Sequence, residues 1–267
     1  MTTVGIVSPG AMGSAVGAAL LRGGARVVAT VAGRSDRTAR LAEAAGIELL
    51  PDLEDVVVAS DVVLSIVPPD QAKTVAAEAG GARLLVDLNA VAPATARRIS
   101  DEVDGSISGP PPWTAGTTRI YLSGPRAAEV AALPFDGVEV IVVGDEVGAA
   151  SAVKMSTASV YKGSIALLTQ ALRAADHYGV GEHVLADLGE LADGAGRRIA
   201  RSAAKADRYV GEMHEISSAQ AAAGLDPVLF EAMAEVWAEI ARTQLGTIAP
   251  EEAGADLRDA LRRLKPS

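Results

Sequence analysis

The sequence predicts an α/β fold: a doubly wound sheet in the N-terminal half, then an all-α C-terminal domain that opens with a long interdomain helix. Two observations carry this prediction. Short Val/Ile/Leu-rich runs alternate with helix-periodic segments as far as about residue 145, the pattern of strand–helix–strand units. Beyond Gly144 no strand-like run recurs, and helical stretches follow one another. The expected domains are therefore 1–145 and 146–267.

Taken in order, the strand-like runs are 4–8, 26–30, 61–67, 84–88, 105–108, 118–122 and 138–143. Four are almost continuously apolar, as parallel strands covered on both faces should be. Amphipathic segments at 11–22 and 36–45 supply the first intervening helices. Gaps shorten between 105 and 143, which predicts an antiparallel or mixed end to the sheet. Residues 146–178 read as one long helix with no proline and only Gly148 and Gly163 inside it. Further helices are expected over 181–205, 207–223, 226–245 and 250–264, with Gly179 and Gly224 at C-terminal caps and Pro227 in a first turn.

Composition narrows the function. The chain has 267 residues, 49% of them hydrophobic, enough for one large core or two smaller ones. Aromatics are only 3%, so that core must be built from small and branched aliphatic side chains. The net charge of -10 would repel a phosphate backbone and argues against nucleic acid. With no cysteine, disulfides, thiolate metal sites and cysteine nucleophiles are excluded. The first residues lack a basic n-region, and no apolar run reaches the roughly 18 residues of a membrane span. The expectation is a soluble, cytoplasmic protein with no membrane partner.

The first strand runs into Ser8-Pro9-Gly10-Ala11-Met12-Gly13 and then a helix. This is the dinucleotide fingerprint G-x-G-x-x-G with Ser8 in place of its first glycine. Gly10 lets the backbone approach a pyrophosphate, Gly13 lets helix and strand pack closely, and the N–H groups of the helix start would hold the anion. The doubly wound sheet is thus expected to be a Rossmann domain. At the end of the second strand, where an Asp or Glu would bind the ribose hydroxyls of NAD, the sequence has Thr30-Val31-Ala32-Gly33-Arg34-Ser35. Arg34 and Ser35 suit a 2′-phosphate and predict NADP (NADPH) as the cofactor. The alternative is a solvated Arg34 and a Ser35 that simply caps the next helix.

In such sheets ligands bind beyond the carboxyl ends of the strands. Those ends carry Val67-Pro68-Pro69, then Asn89 with Pro93, then Ser108-Gly109-Pro110-Pro111-Pro112-Trp113. The prolines stiffen the loops there. Pro68-Pro69 reads equally as a stop between strand and helix, Asn89 as a turn former, and Trp113 as a pocket wall or a loop anchor.

Pro9-Gly10-Ala11-Met12-Gly13, Asp87-Leu88-Asn89 with Pro93, Ser108-Gly109 and Lys154 early in a long helix occur in an order that resembles the β-hydroxyacid dehydrogenases. These are relatives of 6-phosphogluconate dehydrogenase and of imine reductases. Gly109-Pro110-Pro111-Pro112, 118–124, Lys154-Met155, Tyr161-Lys162-Gly163 and 208–213 look closer to one subgroup, whose C-terminal domain is described as a phosphogluconate dehydrogenase NAD-binding domain. The resemblance implies that Asn89 lies near the nicotinamide, that Ser108 and Gly109 line the substrate site, that Lys154 is the acid/base, and that homodimers form through the helical domain. One departure stands out. The family usually has asparagine three to four residues after its lysine; this chain has Thr157 and Ala158.

Hydride transfer to or from a carbon that bears oxygen needs a general acid/base within reach of that oxygen. His177, His183 and His214 fall in no motif at the sheet edge and read as surface or capping residues. Lys154 is the better candidate, with Tyr161 as an alternative donor. Lys162 lies eight residues on, roughly 80° around a helix, so both lysines could face one cleft and suit a carboxylate. Tyr209 and Glu212 are further candidate substrate residues, from the same subunit or its partner. The expected activity is hydride transfer between NADP and a small hydroxyacid or carbonyl substrate. An imine reductase is the alternative within enzymes. A non-catalytic NADP-binding regulator is the alternative outside them, favoured by Ser8 and the missing asparagine and opposed by Lys154.

Overall fold

The computed structural model describes residues 1–249 and 252–265, and the chain divides into two compact units, Met1–Met155 and Ser156–Ser267. The first two positions of the helix expected over 250–264, and the last two of the C-terminal domain, lie outside the described residues.

The N-terminal unit runs β1 (Thr3–Val7), α1 (Ala11–Arg22), β2 (Arg26–Ala29), α2 (Asp36–Ala44), β3 (Glu48–Leu49), α3 (Leu53–Ala59), β4 (Val62–Ser65), a 3-10 turn (Pro69–Gln71), α4 (Ala72–Glu78), β5 (Leu85–Asp87), α5 (Pro93–Ile99), β6 (Asp104–Ser108), β7 (Arg119–Ser123), α6 (Ala127–Ala131) and β8 (Glu139–Gly144). Among the described residues these strands form one eight-stranded sheet, ordered β3-β2-β1-β4-β5-β6-β7-β8. The first six of that order are parallel, with the 3-2-1-4-5-6 arrangement of a Rossmann fold. β7 turns antiparallel to β6 and β8 follows it in parallel, so the sheet ends mixed, as the short gaps predict.

Period-two alternation explains the two cores. Val4, Ile6, Leu64 and Val86 pack with Val16 and Leu20 on one face; Val7 and Val63 pack with Val57, Val75 and Ala96 on the other. Each fully buried side chain of this size contributes about 1.5–3 kcal/mol. β3 has no counterpart among the strand-like runs. It is two exposed residues on the sheet edge, held by pairing to β2 and by the Arg26–Glu48 ion pair at 2.7 Å, so it leaves no apolar pattern to read.

The helical part begins with α7 (Ala149–His177), which starts in the N-terminal unit and continues into the C-terminal one. The division falls inside α7 rather than before it, because the first turn of α7 is hydrogen-bonded to β6 and β7. The rest comprises α8 (Gly181–Leu188), a 3-10 segment (Gly189–Ala192), α9 (Ala195–Ala203), α10 (Ala206–Ala222), α11 (Val228–Ala241), α12 (Gln244–Thr247) and α13 (Leu257–Arg263). The expected single helix over 181–205 is broken: Gly189 and Gly194 sit at φ +50 and +62, left-handed conformations that end one helix and precede the next. Gly179 and Gly224 take the left-handed geometry expected of caps. Within the C-terminal unit Trp237, Met213, Ile216 and Ile199 are fully buried, and Trp237 meets Tyr209 edge-on at 5.1 Å. No helix of the described residues is long and apolar enough to cross a membrane.

Candidate active site

The loop between β1 and α1 has the backbone of a phosphate cradle. Ser8 holds φ +65, the one positive φ outside glycine among the described residues, so the serine keeps the conformation for which glycine is the usual choice. Gly10 caps α1 without any side-chain hydrogen bond, and the first turn of α1 has no acidic residue. A Cβ at Gly10 would meet nothing within 4 Å, which leaves open space above the helix start; a Cβ at Gly13 would stand 2.5 Å from the Ser8 carbonyl oxygen, which is the close helix–strand packing that requires glycine. Ser14 ties the turn shut by donating its hydroxyl to the Pro9 carbonyl at 2.6 Å. Pro9 is buried, and Ala11 and Met12 are half-buried, with Met12 packed against the core. The fit to a dinucleotide pyrophosphate is thus geometric as well as sequential.

At the end of β2, Arg34 is exposed and forms no ion pair among the described residues. Ser35 is the N-cap of α2, accepting from the Thr38 N–H at 3.4 Å, and its oxygen lies 3.2 Å from the Thr38 hydroxyl. Its side chain is therefore engaged with its own helix, and Arg34 carries most of the charge this loop offers an anion.

The ends of β4 and β5 are joined by a buried polar cluster. Asn89 is 4% exposed; its Oδ1 accepts from the Val67 N–H at 2.6 Å, and its Nδ2 donates to Ser65 Oγ at 3.1 Å and to the Asp87 carboxylate. Its backbone N–H also donates to Asp87, at 3.3 Å. Asn89 is thus neither a helix cap nor an open turn residue but a clamp between two strand ends. Pro68, just beyond Val67, is exposed, while Pro69 begins the 3-10 turn. Burial drives the Asp87 carboxyl up to about 7; the hydrogen bonds from Asn89 oppose the rise, and nearby Asp104 adds to it.

Beside this cluster, Asp104 opens β6 and anchors α7. Its Oδ2 accepts from the Ser151 N–H at 2.8 Å and its Oδ1 from the Ser151 hydroxyl at 2.7 Å; the Ser123 hydroxyl lies 3.3 Å away. Ser123 Oγ in turn accepts from the Ala150 N–H at 3.0 Å, and the Ser106 hydroxyl donates to the Ala150 carbonyl at 2.9 Å. Burial raises the Asp104 carboxyl above the usual range, and the donors from Ser151 oppose it. One turn further along α7, half-buried Lys154 donates from Nζ to the Ile107 carbonyl at 2.7 Å. That carbonyl immediately precedes Ser108 and Gly109 at the carboxyl end of β6. Gly109 holds φ +113 with Thr117 and Thr118 backbone against it, and the following turn is pinned by Thr118 Oγ1 donating to the Pro110 carbonyl at 2.5 Å. Trp113 is half-exposed on that loop.

The remaining expected residues belong to the C-terminal unit. Lys162 is ion-paired with buried Glu212, which Arg208 also meets at 3.1 Å, and the Lys162 ammonium lies 4.8 Å from the centre of the Tyr209 ring. The structure therefore brings Lys162, Tyr209 and Glu212 together and adds Arg208. It leaves Lys162 compensated by Glu212, not available as a bare second cation. Tyr161 is 70% exposed, and Thr157 is exposed as well. His177, His183 and His214 are all exposed. A cavity of about 650 Å³ in this unit is lined by Arg173, Glu239, Asp176 and Lys265 among others and contains none of the expected residues. Its charges are mutually paired.

Sequence reasoning missed Ser65, Asp104, Ser106, Ser123 and Ser151, and left Asp87 without a role. The available signal was a polar residue inside an apolar strand run, which marks Ser65, Asp87 and Ser106 but not Asp104, Ser123 or Ser151. Their partners lie 19 to 47 residues away and are created only by the sheet.

A Rossmann sheet with an open phosphate loop, followed by a helical unit, is the architecture of NAD(P)-dependent oxidoreductases, and the comparisons make the class specific. The chain belongs to the β-hydroxyacid dehydrogenase-like family. Residues 3–91 match the family described as NADP oxidoreductase coenzyme F420-dependent, and residues 175–240 match a domain of unknown function, DUF1932. A relative from Methanothermus fervidus, an uncharacterized 28.5 kDa protein encoded in a 7S RNA 5′ region, is 30% identical over 214 residues, 75% of this chain and 84% of that protein. A solved protein of unknown function, reported as structurally similar to 3-hydroxyacid dehydrogenases, is 31% identical, with a TM-score of 0.67 over 92% of this chain and all (100%) of that one. Mycobacterium tuberculosis 3-hydroxyisobutyrate dehydrogenase, solved with L-serine, shares the fold at 19% identity and a TM-score of 0.68 over 99% of each chain.

Proposed function

We propose that this protein is an NADP-dependent oxidoreductase that moves hydride between the nicotinamide and a small hydroxyacid or carbonyl compound, with Lys154 as general acid/base. The observation that carries the reading is Lys154 Nζ, 2.7 Å from the Ile107 carbonyl at the carboxyl edge of a sheet whose first loop is an uncapped phosphate cradle. Ser8, Pro9, Gly10, Ala11, Met12 and Gly13 would hold the pyrophosphate, Arg34 and Ser35 the 2′-phosphate, and Val67, Pro68 and Asn89 the nicotinamide half. The bound cofactor supplies or accepts the hydride. Lys154 gives the substrate oxygen a proton during reduction and takes one during oxidation. Ser108, Gly109 and Pro110 form the wall beside it. Thr157, Tyr161, Lys162, Tyr209 and Glu212 are the candidate substrate residues of the C-terminal unit, where the surplus cation of the Lys162–Glu212–Arg208 cluster favours a carboxylate.

The domains on this reading are 1–145 for the cofactor and 146–267 for substrate and dimerisation. Val160, Tyr161 and Leu167 are 67–70% exposed on α7, and this charge-free stripe supports a homodimer formed through the helical domain. NADPH oxidation across a panel of keto acids, ketones and cyclic imines tests the assignment. Turnover of imines alone, or of nothing in the panel while NADPH binds, would refute the hydroxyacid/carbonyl activity.

A further inference from the structure

The buried carboxylate of Asp104 has no place in the hydride or proton steps, yet it is surrounded by donors from one place. It receives the Ser151 N–H at 2.8 Å and the Ser151 hydroxyl at 2.7 Å, and through Ser123 it is linked to the Ala150 N–H. Those N–H groups belong to the first turn of α7, where no earlier helical carbonyl can accept them. A carboxylate there also meets the positive end of a 29-residue helix. Ser151 and Lys154 are three residues apart, so they lie one turn apart on the same side of the helix. Asp104 begins β6 and Ile107, whose carbonyl receives the lysine, is three residues further along the same strand. One strand therefore grips α7 at two points, and the second point is the Lys154 ammonium.

We propose that Asp104 is the positioning residue for Lys154: by holding Ser151 and, through Ser123, Ala150, it fixes the helix register that sets Lys154 Nζ on the Ile107 carbonyl. The importance of that placement for turnover rests on the function proposed above; the placement itself does not. Without the Asp104 anchor the first turn frays, Lys154 leaves the carbonyl, and its amine becomes more accessible.

Competitive acetylation of the folded protein with acetic anhydride, read residue by residue by peptide mass spectrometry, tests this directly. Exposed Lys73 and ion-paired Lys162 serve as internal references. In the wild type Lys154 should label more slowly than Lys73. Asp104→Asn, which turns an acceptor pair into a mismatched amide, should raise the Lys154/Lys73 ratio by about fivefold, the population shift one net hydrogen bond controls. Ser151→Ala, a smaller change that keeps the backbone bond, should raise it by about twofold and decides the matter if Asp104→Asn does not fold. Lys162 labelling should stay unchanged, whereas general loosening would raise it as well. A Lys154/Lys73 ratio unaltered in the folded variants, or a rise shared by Lys162, would overturn the proposal. The two readings fail separately: turnover indifferent to Lys154 removes the catalytic role without touching the labelling result, and an unresponsive ratio removes the positioning role while Lys154→Ala still lowers turnover.

Discussion

Asp87 and Asp104 are register partners on β5 and β6, two carboxyls each 1% exposed, and each holds a different piece of the sheet's carboxyl edge. Asp87 holds Asn89, which holds Val67 at the end of β4. Asp104 holds Ser151, one turn before Lys154. Polar groups this deep remain only where their hydrogen bonds are met, and here both sets are spent on shaping one edge.

The Asp87 carboxyl gives the fold a pH dependence of unusual sign. Its folded value is about 7, above the roughly 3.9 of an unfolded aspartate. Between those values the folded state binds a proton that the unfolded state does not. The penalty is full above the folded value and disappears below the unfolded one, so stability should rise on acidification from about pH 8 to about pH 5. Asp104, shifted the same way, adds to the effect. Thermal melts across this range check it, and Asp87→Asn should flatten the profile. Melting temperatures that fall steadily on acidification would contradict it.

Lys154→Ala should lower turnover by about 10²–10⁴-fold, the usual contribution of a general acid/base, with NADPH affinity little changed. Lys154→Arg should fail almost as badly, since a guanidinium keeps its proton near neutral pH. Steady-state kinetics beside an NADPH titration separate the two effects. Turnover within about threefold of wild type would move the proton to Tyr161, Lys162 or water.

Arg34 should decide the cofactor. NADPH is expected to bind at least about tenfold more tightly than NADH, a gap of about 1.4 kcal/mol, and Arg34→Ala should remove most of it. Because the Ser35 hydroxyl already caps α2, Ser35→Ala should cost helix stability more than cofactor selectivity. Equal affinities in the wild type, measured by fluorescence titration, would sink the NADP assignment.

The phosphate loop makes opposite predictions for two neighbours. Ser8 sits at φ +65, so Ser8→Gly should leave the fold as stable or up to about 1 kcal/mol more stable. Gly13→Ala would place a methyl 2.5 Å from the Ser8 oxygen and should cost about 1–3 kcal/mol while impairing NADPH binding. Denaturant melts of both variants, with cofactor titrations, read the difference.

The exposed stripe on α7 predicts a dimer that a single charge can split. Val160→Asp or Leu167→Glu should yield a monomer in light scattering at a concentration where the wild type is twice that mass. A wild-type mass that stays monomeric at all concentrations would exclude the arrangement.

Much of this architecture could be read in the chain before it folded. Apolar runs at 4–8 and 61–67 announce buried parallel strands because both their faces must be covered, and Gly10 and Gly13 announce a phosphate turn, Gly10 by leaving open space above the helix start and Gly13 because a Cβ there would strike the Ser8 carbonyl oxygen. Such signals are local, set by side-chain periodicity and backbone freedom within a few residues. The edge strand Glu48–Leu49 escaped because its two residues are exposed and owe their conformation to β2. The break after α8 escaped because its glycines are compatible with a helix until they adopt positive φ. The place of Lys154 early in α7 was legible, but what holds its side chain was not. Asp104 meets Ser151 across 47 residues, and Asn89 meets Val67 across 22. Only the closed sheet brings those groups together in a medium dry enough for their hydrogen bonds to fix the geometry.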